Sequence, residues 1–158
     1  MTDSTPEFTP TAAPPYAAPP SHIEVPVATA TDLRRLDGIR DDLLRVHRGL
    51  LEAERSRYEQ QNGRIANNSV FLQLVIGDPW FEWVRPMAQM VLLIDERTSD
   101  KKRPLGSVEA MALFEQALAL LKADPEGDDF QRLFFQSIQS SPELAVLVRQ
   151  VAKGIVGA

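Results

Sequence analysis

Asn67-Asn68-Ser69-Val70-Phe71-Leu72-Gln73-Leu74-Val75-Ile76-Gly77 is the stretch that decides the fold class of this chain. Between Val70 and Ile76 only Gln73 is polar, and turn-forming residues bound the run on both sides. A run of this length fits a buried strand or a buried piece of helix, and periodicity alone does not separate the two. A strand must find a neighbour for its backbone N–H and C=O groups, and no other segment of the sequence offers one. The run is therefore read as a buried helix, and the chain as all-α.

Upstream, a capping residue at Thr31-Asp32 precedes Leu33, Leu36, Ile39, Leu43, Val46, Leu50 and Ala53, spaced by three or four. That spacing is one face of a long amphipathic helix. It is expected to run to about Gln61 and to stop at Asn62-Gly63, where glycine takes a left-handed cap at little steric cost. On its outer face Arg48 and Glu52, then Arg55 and Glu59, stand four apart, which contributes only about 0.2–0.5 kcal/mol per pair.

Downstream, Asp78 caps another helix with Pro79 in its first turn, where a missing N–H costs nothing. Trp80, Val84, Met87, Val91 and Ile94 form its inward stripe, widened by Trp83 and Met90. Pro86 cannot donate to Glu82, so a kink or a restart is expected there, with the helix ending between Arg97 and Ser99. Asp100-Lys101-Lys102-Arg103 is a loop. The helix expected from Pro104 to Ala123, with Ser107 as a late cap, is apolar over more than half of its circumference, which predicts a central position. After the Asp124-Pro125-Glu126-Gly127 turn, Asp128 and Gln131 form a capping box for a helix bearing Phe130, Leu133, Phe134 and Ile138. Ser141-Pro142 opens the last helix, with Leu144, Leu147, Val148 and Val151 in one stripe and Lys153-Gly154 at its end. The expected architecture is a single bundle of five or six helices.

Residues 1–30 differ in composition, with prolines at 6, 10, 14, 15, 19, 20 and 26 and no lysine or arginine. Proline removes a backbone donor and restricts the residue before it, so this segment is read as a disordered arm with polyproline II stretches. The bundle domain then spans 31–158. Pro14-Pro15-Tyr16 and Pro19-Pro20 have the form of a ligand for an aromatic groove, although the arm as a whole reads first as a spacer. Removing residues 1–28 is expected to leave the thermal midpoint of the domain unchanged.

Composition restricts the chemistry. At 158 residues and 44% hydrophobic content the chain can build one sizeable core. It has no cysteine, which excludes disulfides, thiolate metal sites and cysteine nucleophiles. Only His22 and His47 are present, and neither follows a glutamate by three residues, so a carboxylate-bridged di-iron bundle is not expected. No phosphate-cradling glycine loop and no nucleophile elbow occur. A net charge of −5 gives no general attraction to nucleic acid, and Lys101-Lys102-Arg103 is too short a basic run to change that. No segment reaches the roughly 18 apolar residues of a membrane span, and no secretory leader is apparent. No metal, cofactor, nucleic acid or membrane is thus expected, and a cytoplasmic location is.

Leu44-Arg45-Val46-His47-Arg48, Glu54-Arg55, Tyr58-Glu59, Leu72-Gln73-Leu74, Asp78-Pro79-Trp80-Phe81-Glu82-Trp83-Val84-Arg85-Pro86 and Ile94-Asp95 together resemble an uncharacterised family of small all-helical bacterial proteins. The resemblance covers about residues 40–96 and implies a bacterial source and a helical domain. No activity is known for that family, so it transfers no catalytic or binding residue to this chain.

Both tryptophans fall within Asp78–Pro86, and five of the eleven Phe, Trp and Tyr residues lie between 58 and 83. Trp80, Phe81, Trp83 and Met87 in that segment read first as large core anchors. If partly exposed beside Glu82 and Arg85, they would have the aromatic-plus-arginine composition of an interface hot spot. Two functions are expected from this. One is a non-enzymatic helical interaction module, homodimeric or meeting a protein partner. The alternative is a small-molecule-binding or enzymatic bundle with a pocket lined by Trp80, Trp83, Tyr58 and His47 and with polar groups from Arg48, Glu52 or Arg85. In the bland reading His47 is a boundary histidine with its polar atoms satisfied. By α-helical geometry Trp83 is the more exposed of the two tryptophans.

Overall fold

In the computed structural model, which describes residues 24–156, the chain folds as α1 (Ala30–Asn62), α2 (Asn68–Gly77), a 3-10 helix (Pro79–Val84), α3 (Arg85–Ser99), α4 (Ser107–Leu120), α5 (Asp129–Ser140) and α6 (Pro142–Val156). The fold is all-α, as expected. Among the described residues the only sheet-like pairing is a single antiparallel bridge between Val27 and Gly106. The disorder expected of the arm concerns residues 1–23, which lie outside the described residues. Residues 24–29 are extended, and they are tied to the start of α4 by Ser107 N–H donating to Pro26 O and Ala28 N–H donating to Leu105 O, both at 2.8 Å.

The cap of α1 is Thr29 instead of Thr31-Asp32. Thr29 Oγ1 accepts the Asp32 N–H at 3.1 Å while Asp32 Oδ2 accepts the Thr29 N–H at 2.8 Å. The two residues satisfy each other's orphan donors as a capping box, a role for which Asp32 must stand at the third helical position. Gly63 ends the helix at φ +89°, its N–H donating to Glu59 O.

Leu36, Ile39, Leu43, Val46 and Leu50 of α1 are all buried. This stripe meets α3, α4 and α6, with α5 and the 3-10 helix at its far end, so α1 is the axis of the bundle. The expectation that α4 is central does not hold. Its buried residues are Ala110, Leu113 and Ala117, whereas Val108 and Met111 are 71% and 64% exposed. A helix whose apolar residues cover more than half of its circumference has no single stripe to mark its inside. Here the side with Ala110, Leu113 and Ala117 faces inward, and Val108, Met111 and Leu118 are left exposed.

The restart expected at Pro86 is present: the chain winds as a 3-10 helix over Pro79–Val84, and α3 begins with Pro86 in its first turn. This changes which aromatic is buried. A 3-10 helix eclipses residues i and i+3, so Phe81 aligns with Val84, and both are 1% exposed. The inward stripe of the segment is thus Phe81, Val84 and Met87, with Trp80 and Trp83 half-buried on another side.

The run that decided the fold class is a helix, but it is not buried. No residue of α2 is buried, and Val70, Leu72 and Ile76 are 38%, 59% and 66% exposed. At ten residues α2 is about 15 Å long and rests mainly on the 3-10 helix.

Candidate functional site

Glu54 organises the tryptophan end of the bundle. Its position, one turn beyond Leu50 on the buried stripe of α1, leaves it 2% exposed. A carboxylate there must be paired. Oε1 accepts from Ser137 Oγ at 2.6 Å and from Arg57 Nη1 at 2.8 Å, while Oε2 accepts from the Trp80 indole Nε1–H at 3.1 Å. α1, the 3-10 helix and α5 therefore converge on one side chain. Tyr58 stands edge-on to Trp80 with ring centroids 5.5 Å apart and also meets Phe81. Chemically the cluster is closed: both carboxylate oxygens are engaged and the indole N–H is spent inside the protein.

The remaining sequence candidates are dispersed. Trp83 packs against Phe130 at 5.7 Å and edges a shallow depression of about 470 Å³ shared with Pro79, Glu82, Asp129 and Arg132. Glu82 is exposed, and Arg85 reaches it only at 4.0 Å. His47 is half-buried, and loss of hydration holds its pKa below the ordinary histidine value. Arg48 lies in a separate groove between α1 and α6, with Arg45, Glu52 and Glu143. Tyr58 and Trp80 thus come together, while Trp83 with Glu82, and Arg48, occupy other places. Among the described residues no three His, Asp or Glu side chains converge in a way that would hold a metal ion, and no helix is long and apolar enough to cross a membrane.

The surface that the sequence reading did not locate is α2 itself. It carries no charged residue, yet it is fixed at both ends. Asn67 Oδ1 caps it by accepting the Val70 N–H at 2.9 Å. Arg55 donates to Asn68 Oδ1 at 3.2 Å and lies over the Phe71 ring at 4.8 Å. Glu59 accepts the Ile65 N–H at 3.1 Å, which holds the loop before the helix. At the other end Arg85 Nη2 donates to Ile76 O at 3.1 Å, satisfying a carbonyl the helix leaves free. Phe71 is turned to the bundle, edge-on to Phe81 at 5.7 Å, and Leu74 and Val75 are half-buried as well. Val70, Leu72 and Ile76 are left in solvent. The signal is present in the sequence, because Gln73 is the only polar side chain between Val70 and Ile76, but such a run points first to a buried segment.

Arg97 is nearly buried and joins α3 to α4. Its guanidinium donates to both Glu109 oxygens at 2.6 and 2.9 Å, and the Glu109 pKa is lowered chiefly by that hydrogen bond. On its own, this pair closes the bundle and presents nothing to a ligand. The chain matches no family model, no curated protein and no solved structure.

Proposed function

We propose that this chain is a non-enzymatic protein-interaction module of the bacterial cytoplasm whose contact element is α2, pairing with a second copy or with another protein. The supporting observation is that an uncharged apolar helix, of the kind ordinarily buried, lies outside the core and is clamped by Arg55 and Arg85. A helix held at both ends loses little further freedom when a partner covers it, which favours binding. The small-molecule alternative beside the tryptophans has less support, since Trp80 is committed to Glu54 and Trp83 borders only a shallow depression.

The test compares the full chain with a Leu72→Glu/Ile76→Glu variant by sedimentation velocity and by recovery of bound proteins from the source cell. Both positions are exposed, and circular dichroism is used to check that the variant keeps its helicity. The expected outcome is association in the wild type, with itself or with a specific protein, that the variant loses. Identical sedimentation and identical recovered proteins would overturn the proposal.

A further inference from the structure

A second apolar surface lies away from α2, where adjoining depressions meet along the outside of α4. One, of about 510 Å³, lies between α4 and α6, and apart from Glu115 and Lys122 its lining is apolar, with Leu118, Val148, Val151 and Ile155 among it. Another, of about 780 Å³, opens between α1 and the end of α6 and shares Ile155 with the first. Ile39 and Phe114 continue its apolar lining, while Arg34, Arg35, Arg45, Asp41 and Asp42 supply its charges. Gly38 and Gly154 line it as well, and a Cβ at either would meet nothing within 4 Å, so the walls of α1 and α6 leave it unobstructed.

The charges are not equally engaged. Asp41 is held by Arg40 at 3.1 Å, and Asp42 faces Arg45 at 3.7 Å. Asp32, in the neighbouring depression with Arg35, spends Oδ2 on the Thr29 N–H and hydroxyl. Arg34 donates to Thr31 Oγ1 at 3.1 Å, and Arg35 lies over the Phe114 ring at 4.4 Å. Among the described residues neither forms an ion pair. A guanidinium carries five N–H donors in a fork that fits a carboxylate. Two such groups thus stand beside a continuous apolar floor.

We infer that this trough binds a long-chain fatty acid, its carboxylate held by Arg34 and Arg35 and its hydrocarbon chain crossing Phe114 and Ile155 to Leu118 and Val151. The polarity of the site fixes the direction, because Glu115 at the other end repels an anion there. A cationic amphiphile is disfavoured by the two guanidiniums. Length agrees: from Phe114 to Lys122 the axis of α4 and its continuation advance about 12 Å, close to the roughly 15 Å that one leaflet contributes to a bilayer's hydrocarbon core. The site is independent of the α2 surface.

The full chain is titrated calorimetrically with sodium laurate below its micelle concentration. One saturable site per chain is expected, weakened at least about tenfold in Arg34→Gln/Arg35→Gln through loss of the charge-assisted bonds. With the chain half covered, each methylene added between decanoate and laurate tightens binding about twofold. The Leu72→Glu/Ile76→Glu variant binds laurate as the wild type does, which separates failure of this inference from failure of the α2 proposal. Circular dichroism checks that each variant keeps its helicity. The inference is overturned by no saturable uptake, by an affinity indifferent to chain length or to the arginine substitutions, or by loss of uptake in the α2 variant. Attachment to phosphatidylglycerol vesicles without uptake of laurate would assign the trough to a membrane surface and overturn it too.

Discussion

Trp80 and Glu54, 26 residues apart in sequence, are joined by an indole-to-carboxylate hydrogen bond of 3.1 Å within the aromatic end of the bundle. The bond couples the 3-10 helix to α1, and Ser137 couples the same carboxylate to α5. Replacing Glu54 by alanine leaves an indole N–H, a buried hydroxyl and Arg57 without their acceptor. Glu54→Ala is expected to cost about 3–5 kcal/mol, and Ser137→Ala about 1.5–3 kcal/mol as the loss of one charge-assisted bond. Urea unfolding measures both. A Glu54→Ala loss under about 1 kcal/mol would mean that water reaches the cluster and replaces the carboxylate.

Phe81 is the most buried aromatic of its segment. Phe81→Ala is expected to destabilise by about 3–5 kcal/mol, more than Trp83→Ala, whose ring is half-exposed against Phe130. The reverse order in urea unfolding would show that the segment winds as an α-helix in solution, with the tryptophans turned inward.

His47 gives a pH dependence whose sign is fixed. Burial lowers its pKa below the ordinary value of 6.5, so the unfolded chain takes up a proton at a higher pH than the folded one. Stability from this residue is therefore full above about pH 6.5 and falls as the pH drops below it. Thermal midpoints at pH 7.5 and 5.5 should differ less in His47→Gln than in the wild type. An equal difference in both proteins would remove His47 as the cause.

Two helical glycines of α1 are predicted to respond differently to alanine. A Cβ at Gly38 meets nothing within 4 Å, whereas at Gly49 it lies 2.9 Å from Leu147 Cδ2. Gly38→Ala should stabilise by roughly 0.5–1 kcal/mol through helix propensity. Gly49→Ala should gain less, or lose, because Leu147 must move where α1 and α6 approach closely. Equal gains in urea unfolding would show that α6 moves aside freely.

Truncation at the arm should not be neutral if it reaches residue 28. The bonds at Pro26 and Ala28 hold the start of α4 against α1, and each is worth roughly 0.5–1.5 kcal/mol net. A chain beginning at Thr29 is expected to melt several degrees below the full chain, in contrast to the unchanged midpoint anticipated from composition. An unchanged midpoint would show that this pairing contributes nothing in solution.

The elements most legible in the sequence were those with one apolar stripe and a polar remainder. α1 was read from Leu33 to Ala53 because its charges mark its outside, and α5 because Asp128 and Gln131 announce its start. α2 and α4 have too few charges to orient them, so their type was legible and their burial was not. Phe81 is overshadowed because a 3.6-residue period does not describe Pro79–Val84, where the chain turns every three residues. The Glu54 cluster draws partners from positions 54, 80 and 137, a convergence that local spacing does not show. Its one local sign is an acidic residue on the stripe that carries Leu43, Val46 and Leu50.

The arrangement in which α1 touches nearly every other element while α2 leans on the 3-10 helix also divides the molecule by opening energy. Amide protons on the buried stripe of α1 exchange with solvent only when the bundle as a whole comes apart, since α3, α4 and α6 cover that stripe. Those of α2 need only the release of Arg55, Arg85 and the Phe71 edge, so they exchange through a small local opening. Opening α2 thus costs less than unfolding the bundle, while its clamps at Arg55 and Arg85 keep it docked in the folded state.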